Sequence, residues 1–174
     1  MVRSIRALLV LFVLGVALAA GAVAKGDRSS SASASGSSHF TLHDVFGLKT
    51  LDLKKFTFEA KLEADGSVDG HYLYRDLEDG VPFEASGPIT CLVVKGNHAW
   101  LGGLIDESND PTYVGQDSWF QVIDNGGGRH SPPDITTLLG VSPVAGTAQD
   151  YCNRAPNPRF PWPVTHGHIE VRPG

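Results

Sequence analysis

Residues 56–76 read FTFEAKLEADGSVDGHYLYRD, and their period of two decides the fold. Phe56, Phe58, Ala60 and Leu62 fall on one face of an extended segment and Thr57, Glu59, Lys61 and Glu63 on the other, because successive side chains of a strand point to opposite faces. Asp65-Gly66 has a turn composition. Beyond it Tyr72 and Tyr74 share one face of a returning strand, with His71, Leu73 and Arg75 on the other. The stretch is predicted to be a β-hairpin.

The same period continues toward the C-terminus. After the turn at Glu78-Asp79-Gly80, the residues Val81, Phe83, Ala85, Gly87, Ile89, Cys91 and Val93 alternate with polar residues and prolines. Pro82 and Pro88 cannot donate to a ladder, so this strand is predicted to be bent, bulged or at an edge in its first half. Gly96-Asn97 signals a tight turn into a strand over residues 99–105, whose Gly102-Gly103 pair marks a kink or a close backbone approach. A polar loop over 106–116 leads to a strand at 117–124, ended by Asp124-Asn125-Gly126. Shorter apolar segments follow at 135–141 and 167–172. No window holds a helical apolar stripe of more than about two turns. The fold class is therefore all-β: about seven to eight short antiparallel strands in a sandwich or a small barrel. The segment 142–165, with five of the eleven prolines, reads as one long irregular excursion, and such loops are uncommon unless functional or tied down.

Working outward to the N-terminus, Arg3 and Arg6 precede an apolar run from Ala7 to Ala24 that ends in Ala22-Val23-Ala24. A basic start, an apolar middle and an A-x-A end are the features of a secretory signal peptide, so residues 1–24 are assigned to one, cleaved after Ala24, with an uncleaved N-terminal anchor as the alternative. Residues 25–38, KGDRSSSASASGSS, offer almost nothing to bury and are predicted to be a disordered tether. The domain would then span residues 39–174, outside the cytoplasm, in the periplasm, at the cell surface or in the extracellular space.

The whole chain carries a formal charge of −5; without its first 24 residues, which hold two arginines and no acid, 12 Lys+Arg face 19 Asp+Glu, a charge of −7. Nucleic acid and anionic membrane surfaces reward clustered cations, so neither is expected as a partner once the signal is removed. The remaining partner class is an extracellular ligand or protein. Cys91 and Cys152 are the only cysteines. An even pair in an oxidising compartment is predicted to be bridged; the alternative, a thiol nucleophile or metal-binding thiolate, needs a positioned His that the spacing does not indicate. Closing a loop of about 62 residues would remove unfolded-state entropy worth roughly 4 kcal/mol. On the alternation with Ile89 and Val93, Cys91 is expected on the core face, with its bridge pinning the 142–165 excursion.

The residues GHYLYRD (70–76), Ile89-Thr90-Cys91-Leu92 with Val94, Gly96 and Asn97, then Val122 to Gly126, Pro133-Asp134, a second Cys and a terminal Gly-x-Ile-x-Val give the chain a further character. Over roughly residues 56–172 it resembles a group of exported bacterial proteins of unknown function. That resemblance implies a small secreted β domain with a paired cysteine and no assigned reaction or catalytic residue. In many members an acidic residue follows the Asp-Asn-Gly turn and an Asn precedes the terminal Ile. Gly127 and His168 stand in those places here.

Three groups of residues carry candidate chemistry. His166 and His168 are two apart, so on a strand both imidazoles face one way, as a zinc or copper site can use, although a third ligand is not selected by the spacing. Asp106 to Asp110, with Asp117 beyond, concentrates the oxygen donors that calcium prefers, but lacks the spacing of a helix-loop-helix site and equally fits a turn. Trp100, Trp119, Trp162, Tyr72 and Tyr74 can form a stacking surface for a sugar ring or apolar ligand, with Asp76, Glu78 or Glu84 as acceptors or an acid/base pair; core packing accounts for most of them equally well. Asn125 to Arg129 matches no phosphate-binding fingerprint, and no G-x-S-x-G occurs. No cofactor is implied. The expectation is an exported non-catalytic β domain with a binding or structural role. The alternative is an extracytoplasmic enzyme, or a carrier of a carbohydrate or apolar ligand, with a pocket covered by 142–165.

Overall fold

The computed structural model describes residues 31–42, 52–78, 80–128 and 130–174. The assigned signal peptide, and the tether up to residue 30, lie outside the described residues. Strands β1 (Ser33–Leu42), β2 (Asp52–Leu62), β3 (Val68–Glu78), β4 (Val81–Lys95) and β5 (His98–Leu104) form a meander. A short β6 (Glu107–Ser108) and a 3₁₀ turn (Pro111–Tyr113) lead into β7 (Asp117–Ile123), β8 (Ile135–Thr136) and β9 (Gly140–Ser142). Helix α1 (Thr147–Arg154), β10 (Trp162–Pro163) and β11 (His166–Arg172) complete the chain. The strands form one curled antiparallel sheet, in the order β10-β8-β7-β5-β4-β3-β2-β1-β11, with β6 on β4 and β9 on β7. The all-β prediction is met, and the choice between sandwich and barrel resolves as a half-barrel. Among the described residues no helix is long and apolar enough to cross a membrane.

The predicted hairpin is β2–β3, with Phe56 opposite Tyr74 and Phe58 opposite Tyr72. These rings point into the half-barrel, where Phe56, Phe58 and Tyr72 meet Phe120 from β7, the Phe56 and Phe120 centroids lying 4.2 Å apart, and Tyr74 packs on Phe56. Each buried aromatic contributes roughly 1.5–3 kcal/mol by leaving water. The inward row ends in a buried ion pair between Lys54 and Asp76, directly opposite one another.

Two expectations need correction. Residues 33–38 of the predicted tether are not a tether: they are the first six residues of β1, which pairs with β2 on one side and β11 on the other. Ala34, Ser38 and Phe40 point inward and are fully buried, and a Cβ on Gly36 would lie 2.6 Å from the His168 carbonyl oxygen. The segment buries little side-chain surface of its own, yet small residues are what a strand needs when it is sandwiched beneath Phe58 and Ile169. The domain therefore begins before residue 39.

The second correction concerns Cys91. The first half of strand β4 pairs regularly with β3 despite its prolines, and the irregularity comes just after Pro88, where a bulge separates the Ile89↔Gly103 pair from Cys91↔Gly102. One extra residue reverses which face each later side chain takes. Leu92 therefore joins the core while Cys91 turns to the opposite face of the sheet. The double glycine is a close approach at both positions: a Cβ on Gly103 would run into the Pro88 carbonyl, and one on Gly102 would lie 2.9 Å from Cys91 Sγ.

The ends of the curled sheet meet at a seam made by two carboxylates. Asp124 Oδ2 accepts the Val171 N–H at 3.0 Å and Asp134 Oδ2 accepts the Ile169 N–H at 2.9 Å. Their other oxygens hold the intervening loop, Asp124 Oδ1 accepting from Gly126 N–H and Asp134 Oδ1 from Asn125 N–H. Edge N–H groups of β11 that lack a strand partner are thus satisfied by side chains.

Candidate functional site: a cleft beneath the disulfide-tethered helix

The excursion over 142–165 is not wholly irregular. It contains α1, eight residues whose Ala148 and Cys152, one turn apart, face the sheet. The Cys91–Cys152 bridge, with Cα atoms 6.2 Å apart, ties this helix to β4 on the face of the sheet turned away from the core. Gly146 at the N-cap has no side chain to offer, and Asp117 from β7 supplies the missing acceptor, its Oδ2 taking the Ala148 N–H at 2.9 Å. A carboxylate at a helix N-terminus is favourable for both the free N–H groups and the helix dipole. Ala155 closes the helix in the left-handed region, at φ 43°. The following segment is fixed by Trp100, whose Nε1–H donates to the Pro156 carbonyl at 2.8 Å.

Between α1, the segment to Phe160 and strands β7 to β9 lies a cleft of about 330 Å³. Trp119 and Tyr151 form its aromatic wall, their ring centroids 5.9 Å apart and tilted by 36°. Leu138, Leu139 and Phe160 add apolar surface, and Arg154 and Arg159 add charge. Phe160 is 62% exposed and held at φ 54°. A bulky residue in that conformation costs about 1 kcal/mol and is a pointer to function. Burial raises the Tyr151 phenol to about 12, so it is a neutral hydroxyl at physiological pH. Among the described residues no Asp, Glu, His, Cys or Ser lines the cleft.

The five aromatic residues selected from the sequence do not form one surface. Tyr72 and Tyr74 are core residues. The Tyr72 hydroxyl accepts from Ser118 Oγ–H at 2.8 Å, and burial pushes its phenol up to about 12. Trp100 lies beneath Pro156, with the Lys95 ammonium 5.7 Å from its ring. Trp162 pairs with Thr136 in a two-residue ladder, its Nε1–H buried without a partner among the described residues. Trp119 alone of the five lines the cleft. Asp76 and Glu84 fall on opposite faces, one bound to Lys54 inside and the other to Arg75 outside, so they are not an acid/base pair.

Nor are the metal candidates assembled: no three His, Cys, Asp or Glu side chains come together among the described residues as a metal-holding group. His166 and His168 share the exposed start of β11; His166 faces His39 with ring centroids 6.4 Å apart, and His168 Nδ1 lies 3.7 Å from Asp134 Oδ2. In the acidic loop, Asp110 accepts from the N–H and Oγ1–H of Thr112 and caps the 3₁₀ turn, which holds its carboxyl below the usual range. Asn109 binds the β4 backbone at Glu84 and Pro82 in place of a strand neighbour. Asp106 is exposed. A second hollow of about 370 Å³ lies at the open end of the half-barrel, lined by Lys54, Tyr74, Asp76, Asp110 and Tyr113 among others.

Sequence reasoning missed Tyr151, Arg154, Arg159 and Phe160. The available signal was the Ala148/Cys152 spacing, which fits a short helix, but eight residues between glycine and proline are too few for an amphipathic pattern to stand out. No protein-family model, no curated protein and no solved structure matches this chain.

Proposed function

We propose that the protein is an exported, non-catalytic β domain that binds a small ligand in the cleft between α1 and strands β7 to β9. The carrying observation is the wall of Trp119 and Tyr151 beside a Phe160 kept exposed in a strained conformation. A concave site with aromatic surface and few convergent polar groups is the usual form of a small-molecule pocket, and 330 Å³ lies at the lower end of its range. The absence of any acidic, imidazole or thiol group from the described lining, together with a Tyr151 phenol raised by burial to about 12, favours binding over proton-transfer chemistry. Export is supported by the N-terminal sequence and by the bonded Cys91–Cys152 pair, which persists best in an oxidising compartment. Kinship with the exported bacterial β domains is part of the same reading.

Nitrogen-15 spectra of the disulfide-bonded chain, titrated with naphthalene-2-carboxamide and naphthalene-2-carboxylate, test the site. Shifts are expected at the Trp119 indole N–H and the amides of 137–140 and 151–160. No response, or shifts spread over the sheet, would overturn the cleft reading. A second reading, a carrier or enzyme working at the open end of the half-barrel, rests on the buried Lys54–Asp76 pair lining the other hollow. Shifts confined to residues around Lys54, Asp76 and Tyr113 would favour it.

A further inference from the structure

We infer that the ligand of this cleft is an aromatic anion, a one- or two-ring molecule carrying a carboxylate, phosphate or sulfonate that Arg154 and Arg159 receive. The inference rests on the cleft being the binding site and adds the charge and the ring.

The charge follows from a local reversal. The chain is acidic, at −5 overall, yet the cleft contains two arginines and no acid. The ion pairs among the described residues join Lys54 to Asp76, Lys61 to Glu63, Arg75 to Glu84, His168 to Asp134 and Arg172 to Glu170; Arg154 and Arg159 belong to none of them. Arg154 is oriented by its own helix, its Nε–H donating to the Asp150 carbonyl at 3.2 Å, while its terminal nitrogens make no such bond among the described residues. A guanidinium presents a planar fork of donors that matches a carboxylate or phosphate in two parallel bonds. The Tyr151 hydroxyl, uncharged at neutral pH, repels no anion beside it.

The ring follows from the walls. Trp119, Tyr151 and Phe160 supply flat apolar surface around a volume suited to a bicyclic molecule rather than a long chain. The site is also preorganised. The disulfide, the Asp117 cap and the Trp100 bond to Pro156 each fix a different part of the segment bearing these side chains, so little ordering remains to be done on binding.

Calorimetry on the purified disulfide-bonded chain decides it, with naphthalene-2-carboxylate against the near-isosteric neutral naphthalene-2-carboxamide. The carboxylate is expected to bind about tenfold tighter at low salt, the gain of one well-made charge-assisted contact, and to lose that advantage in 0.5 M salt as exposed charges are screened (Debye length below about 5 Å). The double variant R154Q/R159Q should abolish the carboxylate's advantage over the carboxamide, the ratio of the two affinities falling to about one; circular dichroism checks that the variant is folded. 2-Naphthyl phosphate and naphthalene-2-sulfonate rank the anion types, and decanoate tests ring against chain. Equal affinity for carboxylate and carboxamide, or a carboxylate preference that survives the arginine substitutions, would overturn the anion, with the cleft itself still standing. Tighter binding of decanoate than of the naphthoate would overturn the ring. Binding of none of these probes would remove the cleft reading and this inference together.

Discussion

Asp134→Ala should open the seam of the half-barrel. The carboxylate is 8% exposed and serves two segments: Oδ1 accepts the Asn125 N–H at 2.8 Å and Oδ2 the Ile169 N–H at 2.9 Å. A hydrogen bond to a charged acceptor contributes roughly 1.5–3 kcal/mol, and a buried donor left unpaired costs its desolvation. Against this, the variant no longer desolvates a carboxylate. The two bonds together with the offset give a net loss of about 3 kcal/mol, or about 10 °C in Tm for a domain of this size. Asp134→Asn keeps one acceptor oxygen and should lose about half as much. Thermal and urea unfolding of the oxidised protein measure both. Amide exchange adds a local readout, because protection of the Ile169 N–H should fall more than that of the Tyr72 and Phe56 amides across the sheet. A Tm within about 2 °C of the parent, with Ile169 protection unchanged, would refute the claim that these carboxylates join the ends of the sheet.

A chain begun at His39 removes Ser33–Ser38 from between β2 and β11. Loss of those two ladders should lower Tm by more than about 10 °C or abolish cooperative melting in circular dichroism, whereas trimming a true tether would leave Tm within about 2 °C. Reduction of Cys91–Cys152 should cost about 4 kcal/mol on the chain-entropy model, and limited proteolysis should then cut first within residues 142–165, as α1 is released from the sheet. Stability should hold up to pH 10 and fall from 10 to 12. The Tyr72 phenol is raised from 10.0 to about 12, so the unfolded chain loses its proton first and gains from each step of alkalinity in that window. Tyr72→Phe should flatten part of that slope in urea titrations, at the expense of the bond from Ser118.

What the sequence determined by itself was the part set by local periodicity. Phe56 to Leu62 and Tyr72 to Tyr74 declare their inward faces because each alternates with polar neighbours, and the β2–β3 hairpin follows from Asp65-Gly66. The Gly102-Gly103 pair likewise announced a close approach, and the even cysteine pair its bridge. Tertiary structure decided the rest. Ser33 to Ser38 form a strand because β2 and β11 flank them on both sides, with Ala34 and Ser38 buried, a condition no composition of that segment can express. Cys91 left the core face because a bulge one residue long, between Ile89 and Cys91, reversed the phase of the rest of β4. The cleft depended on that reversal: with Cys91 turned to the face where Gly102 leaves room, α1 could dock where Asp117 caps it, and Tyr151, Arg154, Arg159 and Phe160 came to line one space with Trp119. Those residues are far apart in the chain from Trp119, and only the path of the sheet puts them around one space.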